Sequence, residues 1–138
     1  MTIEIRSVLG CVLSLGLIMV SSAALAQLAG SEWRPTEIGE ITVTADSEIF
    51  VRFGGDGKLE GHGGCNRFFG SYSLEGDKIE MGPLGATRMS CPEPVMETEI
   101  QFLQALQDAR HFVRDQRQLT LSDDSKDPLL RLTQTDAD

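Results

Sequence analysis

The chain is short of most residues that announce catalysis or metal binding. It has two histidines and three cysteines in 138 residues. Neither C-x-x-C nor H-E-x-x-H occurs, so zinc would have to draw on scattered ligands such as His62, Cys65, Cys91 and His111. No G-x-S-x-G surrounds Ser71, Ser73 or Ser90, which removes the nucleophile-elbow hydrolases. Gly61-His62-Gly63-Gly64 lacks the lysine and the following helix of a phosphate loop. Basic residues are few: 12 Lys and Arg stand against 21 Asp and Glu, a net charge of −9. Such a surface repels nucleic-acid phosphates and anionic lipid, so no nucleic-acid partner is expected. The acids are dispersed and read first as a solvated face, with a binding surface for a basic partner as the alternative. There is no internal repeat, low-complexity tract or interdomain linker.

The one long apolar run is N-terminal. Val8–Val20 carries no charge, follows Arg6, and leads into small residues ending Ala24-Leu25-Ala26, an A-x-A cleavage pattern. The run is short for a permanent span, which needs about 20 apolar residues. Residues 1–26 therefore read as a secretory signal peptide cut between Ala26 and Gln27, with a retained anchor as the alternative. Val8-Leu9-Gly10-Cys11 looks loosely like a lipidation box. The apolar run continues well beyond Cys11, however, so that cysteine is expected to leave with the signal. Removing Glu4 and Arg6 together leaves the net charge unchanged. The expected organisation is a leader at 27–30, one domain at 31–133 and a frayed tail at 134–138. The expected location is periplasmic or secreted, with no stable membrane span after cleavage.

What is present is alternation. Ser31–Ile38 holds Trp33, an apolar anchor, with Pro35 suggesting an edge or a bend. In Glu48–Phe53, residues Ile49, Val51 and Phe53 alternate with Glu48, Phe50 and Arg52. Gly54–Gly57 is a turn by composition, and Lys58–Gly64 returns antiparallel. Phe68, Gly70, Tyr72 and Leu74 share one face of the next strand, and Ile79 and Met81 share a face of Lys78–Leu84. Met96, Ile100, Leu103 and Leu106 then recur at three- and four-residue steps, predicting an amphipathic helix near 95–110 that covers one end or face of the sheet. Glu97 and Glu99 near its start and Arg110 at its end suit the macrodipole. His111–Arg114, Gln118–Ser122 and Leu129–Thr133 close the chain as strands. The fold class is mainly β: a curved antiparallel meander or small barrel with one α-helix packed on it.

Cys65 and Cys91 are the two cysteines expected to survive export into an oxidising compartment, and their first reading is one disulfide. Two buried free thiols, or metal or redox chemistry, are the alternatives. His62 reads as a partly exposed strand residue, and His111 follows the helix end, where its charge suits the dipole. Asn66 fits a left-handed turn position with its amide on the backbone. Arg88 fits an ion pair with Glu99 or another acid near the helix. Glu97 and Glu99 are two apart on a helix and do not face one cleft. An exposed Phe69 beside Arg67 is the best contact patch, since aromatics and arginine are the usual interface anchors.

The run Gly64-Cys65-Asn66-Arg67-Phe68-Phe69-Gly70-Ser71-Tyr72, then Thr87-Arg88-Met89-Ser90-Cys91, then Glu99 on the helix, resembles the META domain family, of the HslJ-like type. The pattern is GCNxFxGxY followed by TxMxC, and the resemblance covers about Ser31 to Thr133. It implies the same β architecture, an envelope setting, and an association with heat shock and antibiotic tolerance. It brings no catalytic residues. The expected function is a non-enzymatic exported domain, monomeric and without a cofactor, that binds an envelope protein, a peptide or a small ligand. The alternatives are an inhibitor or regulator of an envelope enzyme and, after that, a small enzyme or metal carrier.

Overall fold

The computed structural model describes residues 27–135; the expected signal peptide and its cleavage after Ala26 lie outside them. Ten strands and one helix follow in order: β1 (Ser31–Ile38), β2 (Ile41–Thr42), β3 (Phe50–Phe53), β4 (Lys58–His62), β5 (Arg67–Glu75), β6 (Lys78–Met81), β7 (Gly85–Ala86), α1 (Glu93–Asp108), β8 (His111–Asp115), β9 (Gln118–Ser122) and β10 (Pro128–Thr135). All strand pairs are antiparallel. β1, β3, β4, β5, β6, β8, β9 and β10 pair in that order, and β10 returns to β1. The expected small barrel is therefore closed, with eight strands in the ring.

Alternation decides the inside. Val51 and Phe53 of β3, Phe68 and Tyr72 of β5, Ile79 and Met81 of β6, and Leu119 and Leu121 of β9 are all buried. Together with Trp33, Leu59 and Leu132 they fill the interior with side chains, as an eight-stranded ring allows. α1 sends Phe102 and Leu106 into the same core, with Phe102 edge-on to Phe68 at 5.8 Å between ring centroids. The helix touches β1 and β10 and also β6 on the far side of the ring, so it crosses the barrel mouth as an end cap. It runs from Glu93 to Asp108, two residues earlier than its apolar period suggests. Pro94 is tolerated in its first turn, and the Arg110 guanidinium donates to the carbonyls of Gln107 and Ala109 at its end.

Two expectations need correction. Residues 27–30 are not a loose leader: Leu28 is fully buried in the core, and Gly30 N–H donates to Phe53 O at 2.7 Å. The tail does not fray at 134, because Gln134 and Thr135 pair with Trp33 and Glu32. Pro35 fits the expected edge or bend: the β1–β10 register shifts between Pro35 and Glu37. Pro35 lies between the stretch paired with β3 (31–33) and that paired with β2 (37–38), so its missing donor is not needed on that side. Strands β2 and β7, two residues each, carried no period long enough to predict. Among the described residues no helix is long and apolar enough to cross a membrane.

Candidate functional site

The glycine-rich centre of the sequence folds into a polar knot. Gly63 and Gly64 end β4, and Gly64 has φ +111, a backbone state that side chains rarely adopt. A Cβ on Gly63 would lie 2.5 Å from Glu99 Cγ, so only glycine lets the helix carboxylate approach. Glu99 is 4% exposed, and its Oε2 accepts the N–H groups of Cys65 and Asn66, each at 2.8 Å. Asn66 Oδ1 accepts the Thr87 hydroxyl at 2.9 Å and Met89 N–H at 2.6 Å, and Asn66 Nδ2 donates to Met89 O at 3.3 Å. The Asn66 amide thus stands in for a main-chain ladder where β7 runs out. Cys65 and Cys91 are joined, with Cα atoms 6.0 Å apart across a separation of 26 residues.

These contacts settle several sequence-based choices. The disulfide forms, which takes both sulfurs away from thiol or ligand chemistry. Asn66 does bond main chain through its amide, but across to Met89; the left-handed backbone falls to Gly64 instead. Arg88 is exposed and makes no ion pair among the described residues, and the Glu99 carboxylate is already engaged with main-chain N–H groups. Glu97 is exposed while Glu99 points inward, so the two share no cleft. Among the described residues no three His, Cys, Asp or Glu side chains are grouped as a metal site.

Outside the barrel, next to the knot, the outward-facing residues of three strands form a groove. Register places Phe50 opposite His62 and His62 opposite Arg67, giving one row across β3, β4 and β5. The next row runs Arg52, Glu60, Phe69. The concavity has a volume of about 340 Å³ and is closed at one side by Thr87. Phe69 is 59% exposed. Its ring lies over Gly85, where a Cβ would come within 2.7 Å of Phe69 Cε2.

The charges in the groove are unequal. The Arg52 guanidinium bonds Glu32 at 2.6 Å and Glu60 at 2.9 Å, and these two carboxylates raise its pKa further. Arg52 also stacks on Phe50, 5.7 Å from the ring centroid. Arg67 is exposed, and its guanidinium has no partner among the described residues. His62 Nδ1 accepts Gly64 N–H at 3.1 Å, so the neutral ring carries its proton on Nε2, free to donate. Arg67 and Phe69 were legible as a pair from strand alternation alone. Phe50 and His62 were not, because the β3–β4 connection pairs Phe53 with Leu59 and not with Lys58, a register that composition does not reveal.

Two further concavities are less convergent. One of about 200 Å³ mixes Glu75, Glu80 and Asp124 with Lys78, Arg110 and His111; His111 Nδ1 sits 3.7 Å from Asp77 with no hydrogen bond. The other, about 430 Å³, lies between residues 41–49 and the start of α1, and neither cations nor aromatics line it.

Three comparisons place the chain among known proteins. A family profile described as META domain matches residues 26–136. A solution structure of a protein from Burkholderia xenovorans is similar, with 26% identity and a TM-score of 0.67 over 86% of this chain and 90% of that one. A second solution structure shares 25% identity at a TM-score of 0.64, over 79% and 92% of the two chains. A DUF4847 family protein from Bacteroides vulgatus, 14% identical over 82% and 98%, shares the fold at a TM-score of 0.62. No curated protein matches the chain.

Proposed function

The chain belongs to the META domain family, and from that premise we propose that it is a non-enzymatic exported domain of the cell envelope that works by binding. The observation that carries this reading is the use made of the motif residues. Cys65, Asn66, Thr87, Cys91 and Glu99 are bonded to one another and to the main chain of Met89, which leaves their side-chain polar groups engaged within the knot. Among the exposed side chains of the motif, Arg88 and Met89 included, Arg67 and Phe69 are the two presented side by side on the outer face of the sheet at a concavity. Exposed aromatic and arginine side chains at a dent in a rigid sheet are the anchors of binding surfaces. The disulfide supports an oxidising location, because such bonds persist outside the reducing cytosol.

The test compares immobilised wild type with a Phe69→Ala, Arg67→Gln double variant against envelope extract. A ligand or protein held by wild type and lost by the variant supports the reading. Equal capture by both overturns the assignment to this face. A second reading, an inhibitor or regulator of an envelope enzyme, is favoured if the retained species is one protein at one-to-one stoichiometry. An exported mass beginning at Gln27 is the expected companion result; a mass retaining residues 1–26 would refute cleavage after Ala26.

A further inference from the structure

We propose that the Phe50–His62–Arg67–Phe69 groove is a site for a small aromatic carboxylate. This rests on the binding role proposed above and names its ligand class.

Arg67 and His62 are direct cross-strand partners, which puts their Cβ atoms about 5 Å apart. One unpaired guanidinium fork and one Nε2–H donor therefore stand beside each other, and both ask for an acceptor. A carboxylate satisfies both, since a planar anion matches the fork with two parallel hydrogen bonds. Arg52 is shared between Glu32 and Glu60, so that row of the groove keeps one net negative charge, and an anion is accepted only in the neighbouring row, at Arg67 and His62. The net charge of −9 over the whole chain holds off polyanions, whereas a single carboxylate can be accepted locally.

The aromatic half follows from the two phenylalanines. Phe50 and Phe69 stand two strand spacings apart and one outward row out of register, so their backbones are about 12 Å apart at the usual spacings. They are too far apart to pack on each other. Phe69, 59% exposed with its ring laid over Gly85, offers its open face to one flat group at about 3.5–4.0 Å per contact, and Phe50 adds apolar surface at the other end of the groove. The volume of about 340 Å³ lies at the small end of ligand sites, which run from about 300 to 1,000 Å³. That favours a compact molecule over a polypeptide.

The experiment titrates the isotopically labelled, disulfide-bonded protein with 3-phenylpropionate and follows its amide resonances. Expected are saturable shifts confined to residues around Phe50, His62, Arg67 and Phe69. 3-Phenylpropanamide, which lacks the charge, and propionate, which lacks the ring, should each bind about tenfold more weakly or worse. Arg67→Gln should show the same loss, Arg67→Lys a smaller one, and Phe69→Leu a loss for the aromatic acid only. Arg67 is exposed and its side chain has no partner among the described residues, so these variants should keep wild-type spectra elsewhere. Equal binding of acid and amide, shifts away from the groove, or no shifts overturn the proposal. So does binding of the pentapeptide Gly-Gly-Gly-Gly-Phe without binding of 3-phenylpropionate. A negative titration with variant-sensitive capture from extract would reject the ligand class while keeping the binding face; failure of both would reject the face.

Discussion

Glu99 carries two main-chain N–H donors on a single buried oxygen, and its removal leaves both without that acceptor. An orphaned buried donor costs about 1–3 kcal/mol, so Glu99→Ala should be among the most destabilising single changes outside the apolar core. Glu99→Gln keeps an acceptor oxygen and should cost less. Urea unfolding of the two variants measures the gap, and equal losses would mean that the knot is not held through that oxygen. Tyr72 offers a second test. Its ring is edge-on to Phe53 at 5.0 Å, its hydroxyl donates to Gly54 O at 2.5 Å, and burial, helped by the nearby Asp56 charge, raises its pKa above 10.0. A raised folded-state pKa means that the unfolded chain loses its proton first as pH climbs. The stabilisation is then complete below about pH 10 and is lost as pH rises through the folded value. Tyr72→Phe should lower stability by about 0.5–1.5 kcal/mol at neutral pH and flatten that part of the alkaline decline. An unchanged alkaline limb would assign the decline to other groups.

β7 is two residues long, and what keeps it in place is not its own ladder. Beyond Ala86 the chain is held by the Asn66 amide, the Thr87 hydroxyl and the Cys65–Cys91 bridge. Closing 26 residues stabilises by about 3.5 kcal/mol in the chain-entropy account. The Cys65→Ser, Cys91→Ser double variant should lose about that much, and the Thr87 and Met89 amides should lose hydrogen-exchange protection before the barrel strands do. Uniform loss across the barrel would show that the bridge supports the whole fold and not this element. The same distinction explains what was legible in the sequence. β3, β5, β9 and α1 could be read because a period of two or of three to four repeats within each. Phe69 could be placed outside by the same alternation. β2 and β7 are shorter than any period, and the knot joins positions 21 to 34 residues apart. Cysteine pairing was readable from count and compartment, whereas the partner of Glu99 was not. An acid on a predicted helix suggests a nearby arginine, and nothing in one sequence says that two backbone amides will reach it first.

Closure of the ring brings the two ends of the described chain together, which alternation along single strands could not show. Arg114 on β8 donates to the Gln27 carbonyl and to Gln134 Oε1, and its guanidinium lies 5.1 Å from the ring centroid of Trp33. Gln134 pairs with Trp33 in the β1–β10 ladder. The ring is thus completed by strands from opposite ends of the sequence, and the cooperativity of the fold should depend on that seam. If so, the seam can be made covalent and the break moved elsewhere. A permutant joining Thr135 to Gln27 through about four glycines, which reach up to about 13 Å, and opened between the exposed Gly55 and Asp56 keeps every barrel pairing. It should retain the disulfide and a single unfolding transition, within about 2 kcal/mol of the parent, because loop entropy changes slowly with loop length. Deleting residues 128–138 instead removes the buried Leu130 and Leu132 and exposes unpaired edges on β1 and β9. That chain should show no cooperative unfolding and should aggregate on concentration. A stable, monomeric deletion would mean that the core is complete without β10 and that closure of the barrel is incidental to folding.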